Sequence, residues 1–240
     1  MKFGLLGYGK MGRAIEQIAS DQGIGIAWRV TRENRQDLTP EFIRQADVVI
    51  EFSRPEAAYE NVMACLRAGV PVVCGTTGWN DQLEEARHFC LQNKGALLWA
   101  SNFSVGVNLF FALNRYLSKL METRPEYHPD LTETHHIHKL DAPSGTALTL
   151  VNELISNNSR YSGWSLQPQT SAPGEIPITA LREGEVPGTH SIRWSSTADE
   201  ITIEHKAHSR AGFAGGAVLA AKWLRDKSGY FGMVDVLQVG

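Results

Sequence analysis

Lys2-Phe3-Gly4-Leu5-Leu6-Gly7-Tyr8-Gly9-Lys10-Met11-Gly12 opens the chain with a short apolar run that empties into G-x-G-x-x-G. Residues 2–6 read as a strand. Residues 10–20 read as a helix with Met11, Ile15 and Ile18 on one face. Between a strand and a helix the three glycines have separate tasks. Gly7 permits the tight turn, Gly9 lets backbone approach a pyrophosphate, and Gly12 lets helix and strand pack closely. The helix start adds free N–H groups and a partial positive charge. Gly7, Tyr8, Gly9, Lys10, Met11 and Gly12 are therefore candidate dinucleotide contacts.

Outward from this loop the alternation continues. Strands are expected over 24–30, 47–52, 70–74 and 96–100, and helices over 56–68 and 82–93. Strands that are apolar throughout, with helices between them, predict a doubly wound parallel sheet covered on both faces. After about Ser104 the pattern changes. A helix over 108–121 carries Leu109, Leu113, Tyr116 and Leu120 on one stripe, a strand follows over 131–137, and Ser144 opens another helix. Residues 156–174 read as a loop. Strands over 176–182, 189–195 and 200–207 then follow without helices, which predicts a mixed sheet in a second, α+β domain. A last helix over 213–226 and an apolar tail over 233–239 complete the chain. The expected division is a dinucleotide-binding domain, 1–104 with 211–240, and a substrate-binding and oligomerisation domain, 105–210.

Composition narrows the function. The 240 residues carry a net charge of −3 and are 42% hydrophobic, which gives no reason to expect nucleic acid or an acidic membrane as partner. No apolar run is long enough to span a bilayer, and glycines interrupt the N-terminal stretch where a signal peptide would lie. Cys65, Cys74 and Cys90 form no C-x-x-C pair, so buried free thiols in a reducing cytoplasm are expected.

The region after the second strand bears on the cofactor. An NAD-preferring site places an acid there for the ribose hydroxyls. This chain has Trp28-Arg29-Val30-Thr31-Arg32-Glu33-Asn34-Arg35 instead. A 2′-phosphate is attracted by such arginines, so NADPH preference or dual use is expected, with Arg32 as first contact and Arg29 or Arg35 as substitutes.

The densest chemistry lies in Glu133-Thr134-His135-His136-Ile137-His138-Lys139-Leu140-Asp141-Ala142-Pro143-Ser144-Gly145-Thr146-Ala147. His205 and His208 add to the same cluster. His136 and His138 would share a strand face, but two imidazoles without a nearby Cys make a poor metal site, and none is expected. His135 and Lys139 suit acid–base work, with clustered cations easing proton donation near neutral pH. Ser144, Gly145 and Thr146 open a helix whose hydroxyls and amides suit a carboxylate.

This segment resembles the signature E-x-H-H-x-x-K-x-D-x-P-S-G-T-A of the 4-hydroxy-tetrahydrodipicolinate (dihydrodipicolinate) reductase family of bacterial lysine biosynthesis, and matches every fixed position. Further motifs follow in family order: Glu51-Phe52-Ser53-Arg54-Pro55, Gly75-Thr76-Thr77-Gly78, Ala100-Ser101-Asn102-Phe103-Ser104-Val105-Gly106, and His205-Lys206-Ala207 with Ser209-Arg210. The resemblance implies reduction of a cyclic dicarboxylate to tetrahydrodipicolinate with NADH or NADPH, in a homotetramer built on the second sheet. It implies that Gly75, Thr76 and Thr77, with the backbone of Ala100, Ser101, Asn102 and Phe103, approach the nicotinamide. It assigns His135 a proton donor/acceptor role, Lys139 a proton-donor role, and His136, Gly145 and Thr146 to a substrate carboxylate. The chain departs from the family in a shorter glycine loop, in Glu51 for the usual Asp, in Thr31-Arg32 where many members have an acid, and in its short length. Two other readings remain at this point: another Rossmann dehydrogenase of amino-acid metabolism, and a non-catalytic NADP(H)-binding sensor.

Overall fold

A computed structural model describes residues 1–35, 38–209 and 211–239. In chain order the elements are β1 (Lys2–Leu6), α1 (Lys10–Asp21), β2 (Gly25–Val30), α2 (Pro40–Ile43), β3 (Val48–Glu51), α3 (Pro55–Ala68), β4 (Val72–Cys74), α4 (Asn80–Gln92), β5 (Ala96–Trp99), α5 (Val105–Met121), β6 (His128–His135), α6 (Gly145–Ser156), β7 (Gly163–Leu166), β8 (Glu175–Arg182), β9 (Thr189–Ser195), β10 (Glu200–Lys206), α7 (Ala211–Leu224), β11 (Gly229–Phe231) and α8 (Met233–Leu237). They form two compact units, Met1–Val105 with Ala211–Gly240, and Gly106–Arg210.

The first unit is a six-stranded sheet in the order β11-β5-β4-β3-β1-β2, parallel at every pairing. Both faces are covered, which is why its strands read as continuous apolar runs. Leu6, Val49 and Val72 pack on one side with Val62 and Cys65 of α3. Phe3, Leu5, Ile50 and Val73 pack on the other with Ile15 of α1 and Val218 of α7. The α7 backbone lies so close that a Cβ at Gly216 would come within 1.7 Å of the Phe103 carbonyl oxygen. Chain order reverses at β1, which has β2 on one side and β3 on the other. Such a switch point leaves a crevice at the carboxyl ends of the strands.

The second unit is a mixed sheet in the order β10-β9-β6-β8-β7. β6 runs parallel to β8 and antiparallel to β9. Its core joins Leu131, Ile178, Ile192 and Trp194 to Leu150 and Leu154 of α6 and Phe110 and Phe111 of α5. Alternate residues of β6, Leu131, Glu133 and His135, are all buried, so the face that begins as core ends in ionisable groups.

Several local expectations are revised. The α5 stripe Leu109, Leu113, Tyr116 and Leu120 is 42–63% exposed. The buried face is Val107, Phe110, Phe111, Asn114, Ser118 and Met121. Asn114 Nδ2 donates to the Leu150 carbonyl (2.9 Å) and Ser118 Oγ to that of Leu154 (3.0 Å). These polar residues are therefore buried because they find partners on α6. The stretch 156–174 contains β7, and the apolar tail resolves into β11 and α8. The strand expected over 131–137 ends at His135, so His136 and His138 sit in the following turn rather than on one strand face. Among the described residues, no helix is long and apolar enough to cross a membrane.

Candidate active site

At the switch point of the first unit lies a cleft of about 790 Å³. Its walls come from the segments after β1 (Gly7, Tyr8, Gly9), β2 (Thr31, Arg32, Arg35) and β3 (Phe52, Ser53, Arg54). Gly7 has φ +89°, and a Cβ there would lie 2.0 Å from the Phe52 carbonyl oxygen. A Cβ at Gly12 would lie 2.4 Å from the Gly7 oxygen. One at Gly9 would meet no protein atom within 4 Å, so that backbone faces open space at the start of α1. Turn, close packing and ligand approach thus fall to Gly7, Gly12 and Gly9, and the cradle fits a pyrophosphate. Lys10 is exposed at the start of α1.

The arginines divide. Arg29 is tied to Glu16 by an ion pair and lies over the Tyr8 ring, whose hydroxyl donates to the same carboxylate. Hydrogen bonds from Arg29 and Tyr8 hold Glu16 down at about 2. Arg32 and Arg35 line the cleft, and these two fit a 2′-phosphate.

A second, smaller cleft is lined by Met11, Phe52, Ser53, Gly75, Thr76 and Thr77. Thr76 is locked by its neighbours: its hydroxyl accepts from Ser53 N (2.9 Å) and its carbonyl from Trp79 Nε1 (2.8 Å). Beneath them Glu51 is fully buried, accepting from Ser53 Oγ, from Asn61 Nδ2 at 3.2 Å and from Cys74 Sγ at 3.2 Å. The longer side chain at this position thus ties the ends of β3 and β4 together. Ala100, Ser101 and Asn102 line neither cleft. Phe103 is a core residue with its ring 5.5 Å from that of Phe52.

In the second unit, β6 pairs Glu133 with His190 of β9 and His135 with Arg182 of β8. Both carboxylate oxygens of Glu133 accept from Ser144 N, at 3.2 and 3.1 Å. Its Oε1 also accepts from Arg182 Nη1 and Nη2, each at 3.3 Å. Its Oε2 lies 3.6 Å from His135 Nδ1 and 3.6 Å from His190 Nε2. Burial pushes Glu133 up, but His190 and Ser144 outweigh it and hold the group at about 2. Burial is the largest influence on His135 and takes it to about 4. Glu133 opposes that fall, while His190, Lys139 and Arg182 add to it. The neighbouring cations lower the ring as expected, but burial takes it further, so that at neutral pH His135 is an uncharged imidazole.

Arg182 also donates to the carbonyls of Lys139 (3.3 Å) and Asp141 (2.5 Å), fastening the turn that carries Lys139. Lys139 itself pairs with Asp141. Ser144 caps α6, its hydroxyl accepting from Ala147 N at 3.2 Å. The first-turn amides of Gly145 and Thr146 have no helical carbonyl to meet. His136 Nδ1 is enclosed without a hydrogen-bond partner among the described residues, and its ring is 6.1 Å from that of His138. His138 pairs at the surface with Glu185, and His208 is exposed. His205 packs 6.2 Å from Phe110 and is lowered by burial. Arg210 lies outside the described residues.

Sequence reasoning missed His190 and Arg182 and gave Glu133 no role of its own. Period-two alternation from Leu131 would have put Glu133 on the buried side, where a carboxylate needs partners. Glu133, His135 and His190 also present ligand-type atoms within 4.8 Å of one another. The Ser144 amide and the Arg182 guanidinium already occupy that carboxylate, so the set reads as a hydrogen-bonding hub rather than a cation site.

Comparison with known proteins agrees with this architecture. The sequence model described as dihydrodipicolinate reductase, N-terminus, matches residues 1–103, and the one described as its C-terminus matches residues 106–237. A 4-hydroxy-tetrahydrodipicolinate reductase of Christiangramia forsetii is 45% identical over 237 residues, covering 99% of this chain and 98% of that one. Another, of Chromobacterium violaceum, is 40% identical over 80% of this chain and 73% of its own. The solved structure of a dipicolinate-bound dihydrodipicolinate reductase from Paenisporosarcina sp. TG-14 superposes with a TM-score of 0.79 at 20% identity, over 98% of each chain. An amine dehydrogenase from Mycobacterium smegmatis shares the fold more distantly, with a TM-score of 0.65 at 11% identity over 98% and 95%. A match that runs through both units, with a relative nearly half identical from end to end, makes this chain a member of the dihydrodipicolinate reductase family.

Proposed function

We infer that this chain reduces 4-hydroxy-tetrahydrodipicolinate to tetrahydrodipicolinate, releasing water, in the route to diaminopimelate and lysine. The 45% identity to a reductase of that name over nearly the whole chain carries this reading. NADH or NADPH, when bound, supplies the hydride. Gly7, Gly9 and Gly12 with the α1 amides would hold its pyrophosphate, Arg32 and Arg35 a 2′-phosphate, and Gly75, Thr76 and Thr77 the nicotinamide end.

The second unit handles charge and protons. A cyclic substrate with two carboxylates needs N–H and cationic partners. His136, the Ser144 hydroxyl and the amides of Gly145 and Thr146 supply them. Lys139 delivers the proton that must accompany the hydride. His135, uncharged at neutral pH, accepts and relays protons beside it. The remaining assignments are a homotetramer formed through the second sheet, where Ile201 on edge strand β10 is 43% exposed, and a cytoplasmic setting, which suits three buried free cysteines.

Adding freshly made synthase product to enzyme and NADPH or NADH should remove the reduced-nicotinamide absorbance. Tight cofactor binding without turnover would overturn the reading in favour of a sensor. Light scattering tests the tetramer.

A further inference from the structure

Glu133 is fully buried, yet it is among the most heavily partnered groups in the second unit. Its two oxygens face different clients. Oε1 meets Arg182, whose other bonds fasten the Lys139 turn, and both oxygens meet Ser144 N at the mouth of α6. Oε2 faces two imidazoles, His135 Nδ1 and His190 Nε2. His135 Nδ1 is enclosed with no hydrogen-bond partner among the described residues. An ionised carboxylate only accepts, so the ring nitrogen nearest to it is the one that carries the hydrogen.

We propose that Glu133 is a positioning residue that fixes His135 as the Nδ1–H tautomer, leaving Nε2 as the proton-accepting nitrogen. The inference deepens the acid–base reading of His135 and rests on it. The groups facing the ring agree. Glu133 comes from its own strand, His190 from β9, Arg182 from β8 and Lys139 from the following turn, and of these only Glu133 carries negative charge and accepts hydrogen bonds through it. On the far side Gly188 backs Nε2, where a Cβ would stand 3.1 Å away.

A single atom exchange tests this. In Glu133→Gln the amide oxygen should take the Oε1 position, because both Arg182 nitrogens donate there, and Ser144 N keeps its bond to that oxygen while losing the one to Oε2. The NH₂ then takes the Oε2 position and becomes a donor toward His135 Nδ1. The variant should therefore invert the tautomer while keeping the carboxylate-binding turn in place. Long-range ¹H–¹⁵N imidazole spectra of the full-length protein at neutral pH read this directly, with His135→Gln identifying the resonance.

Wild type should show Nδ1–H and Glu133→Gln should show Nε2–H. The kcat of the variant should fall about 10- to 100-fold, with KM for the dicarboxylate within about 3-fold. An Nε2–H tautomer in the wild type overturns the proposal even where Glu133→Gln does not fold. An unchanged tautomer and kcat in the variant also overturn it. His135→Gln separates the two readings. If that variant keeps normal kcat and pH profile, the acid–base role of His135 fails. If it loses activity while Glu133→Gln does not, the Glu133 proposal alone fails.

Discussion

Lys139 Nζ lies 2.8 Å from one carboxylate oxygen of Asp141 and 2.9 Å from the other. The lysine is mostly covered and the aspartate mostly exposed, and the contact holds Asp141 below the usual carboxylate range. A substrate carboxylate reaching Lys139 therefore competes with one already there. Asp141→Asn should lower KM for the dicarboxylate, while kcat changes by less than about 10-fold, because the proposed proton donor, Lys139, is kept. Initial-rate kinetics at fixed cofactor would decide it, and an increased KM would refute the competition.

Removing the proposed donor itself should be far more damaging. Lys139→Ala should lose at least ~10²-fold in kcat, the low end for a general acid. A variant with normal kcat and only a raised KM would make Lys139 a binding residue.

The arginines near the nucleotide cleft should behave unequally. Arg32→Ala should raise KM for NADPH about 10-fold and leave KM for NADH nearly unchanged, since a charge-assisted phosphate contact is worth about 1.5–3 kcal/mol before screening. Arg29→Ala should leave the NADPH/NADH ratio alone, because its guanidinium is engaged by Glu16. Equal effects from both would mean that Arg29 leaves its partner when cofactor binds.

Gly188 has φ +154°, and a Cβ there would stand 3.1 Å from His135 Nε2 and 3.3 Å from Cδ2. Gly188→Ala strains the backbone and crowds the nitrogen proposed to accept the proton. We expect kcat to fall at least ~10-fold while NADPH binding, followed by fluorescence, stays at the wild-type value. Wild-type kcat in a folded Gly188→Ala protein would show that Nε2 needs no free approach.

The second unit should be sensitive to acid in a defined window. His135 titrates at about 4 in the folded chain and near 6.5 unfolded, so the unfolded chain binds the proton first. Stability from this group is full above pH 6.5 and drains away as pH falls to about 4. Glu133, at about 2 folded against 4.5 unfolded, adds a second loss below 4.5. Urea midpoints should decline from pH 6.5 downward, and His135→Gln should flatten the part above pH 4.5. Parallel declines in both proteins would remove His135 from the explanation.

The nucleotide-binding half was legible because each of its rules is local. Gly7, Gly9 and Gly12 act within one turn, and the apolar strands announce their own burial. The candidate site of the second unit was legible only where its residues are contiguous, from His135 to Thr146. Glu133, Arg182 and His190 meet through strand register, which sets His135 beside Arg182, 47 positions on, and Glu133 beside His190, 57 positions on, and a single sequence carries no sign of register between distant strands. The α5 stripe misled for a related reason. Leu113 and Tyr116 look like core, whereas Asn114 and Ser118 are buried because carbonyls on α6 receive them. How far the His135 ring is lowered was not legible because desolvation, its largest influence, is a property of the packed site.

The first sheet draws its strand β11 and its covering helix α7 from residues that come after the whole second unit. During synthesis, therefore, β1 to β5 emerge from the ribosome long before the pieces that cover one face and close one edge. Gly106–Arg210 can fold as an inserted body in the interval. The helix that follows the Gly7–Gly12 cradle, α1, thus waits for its packing partner α7 until the second unit has been translated.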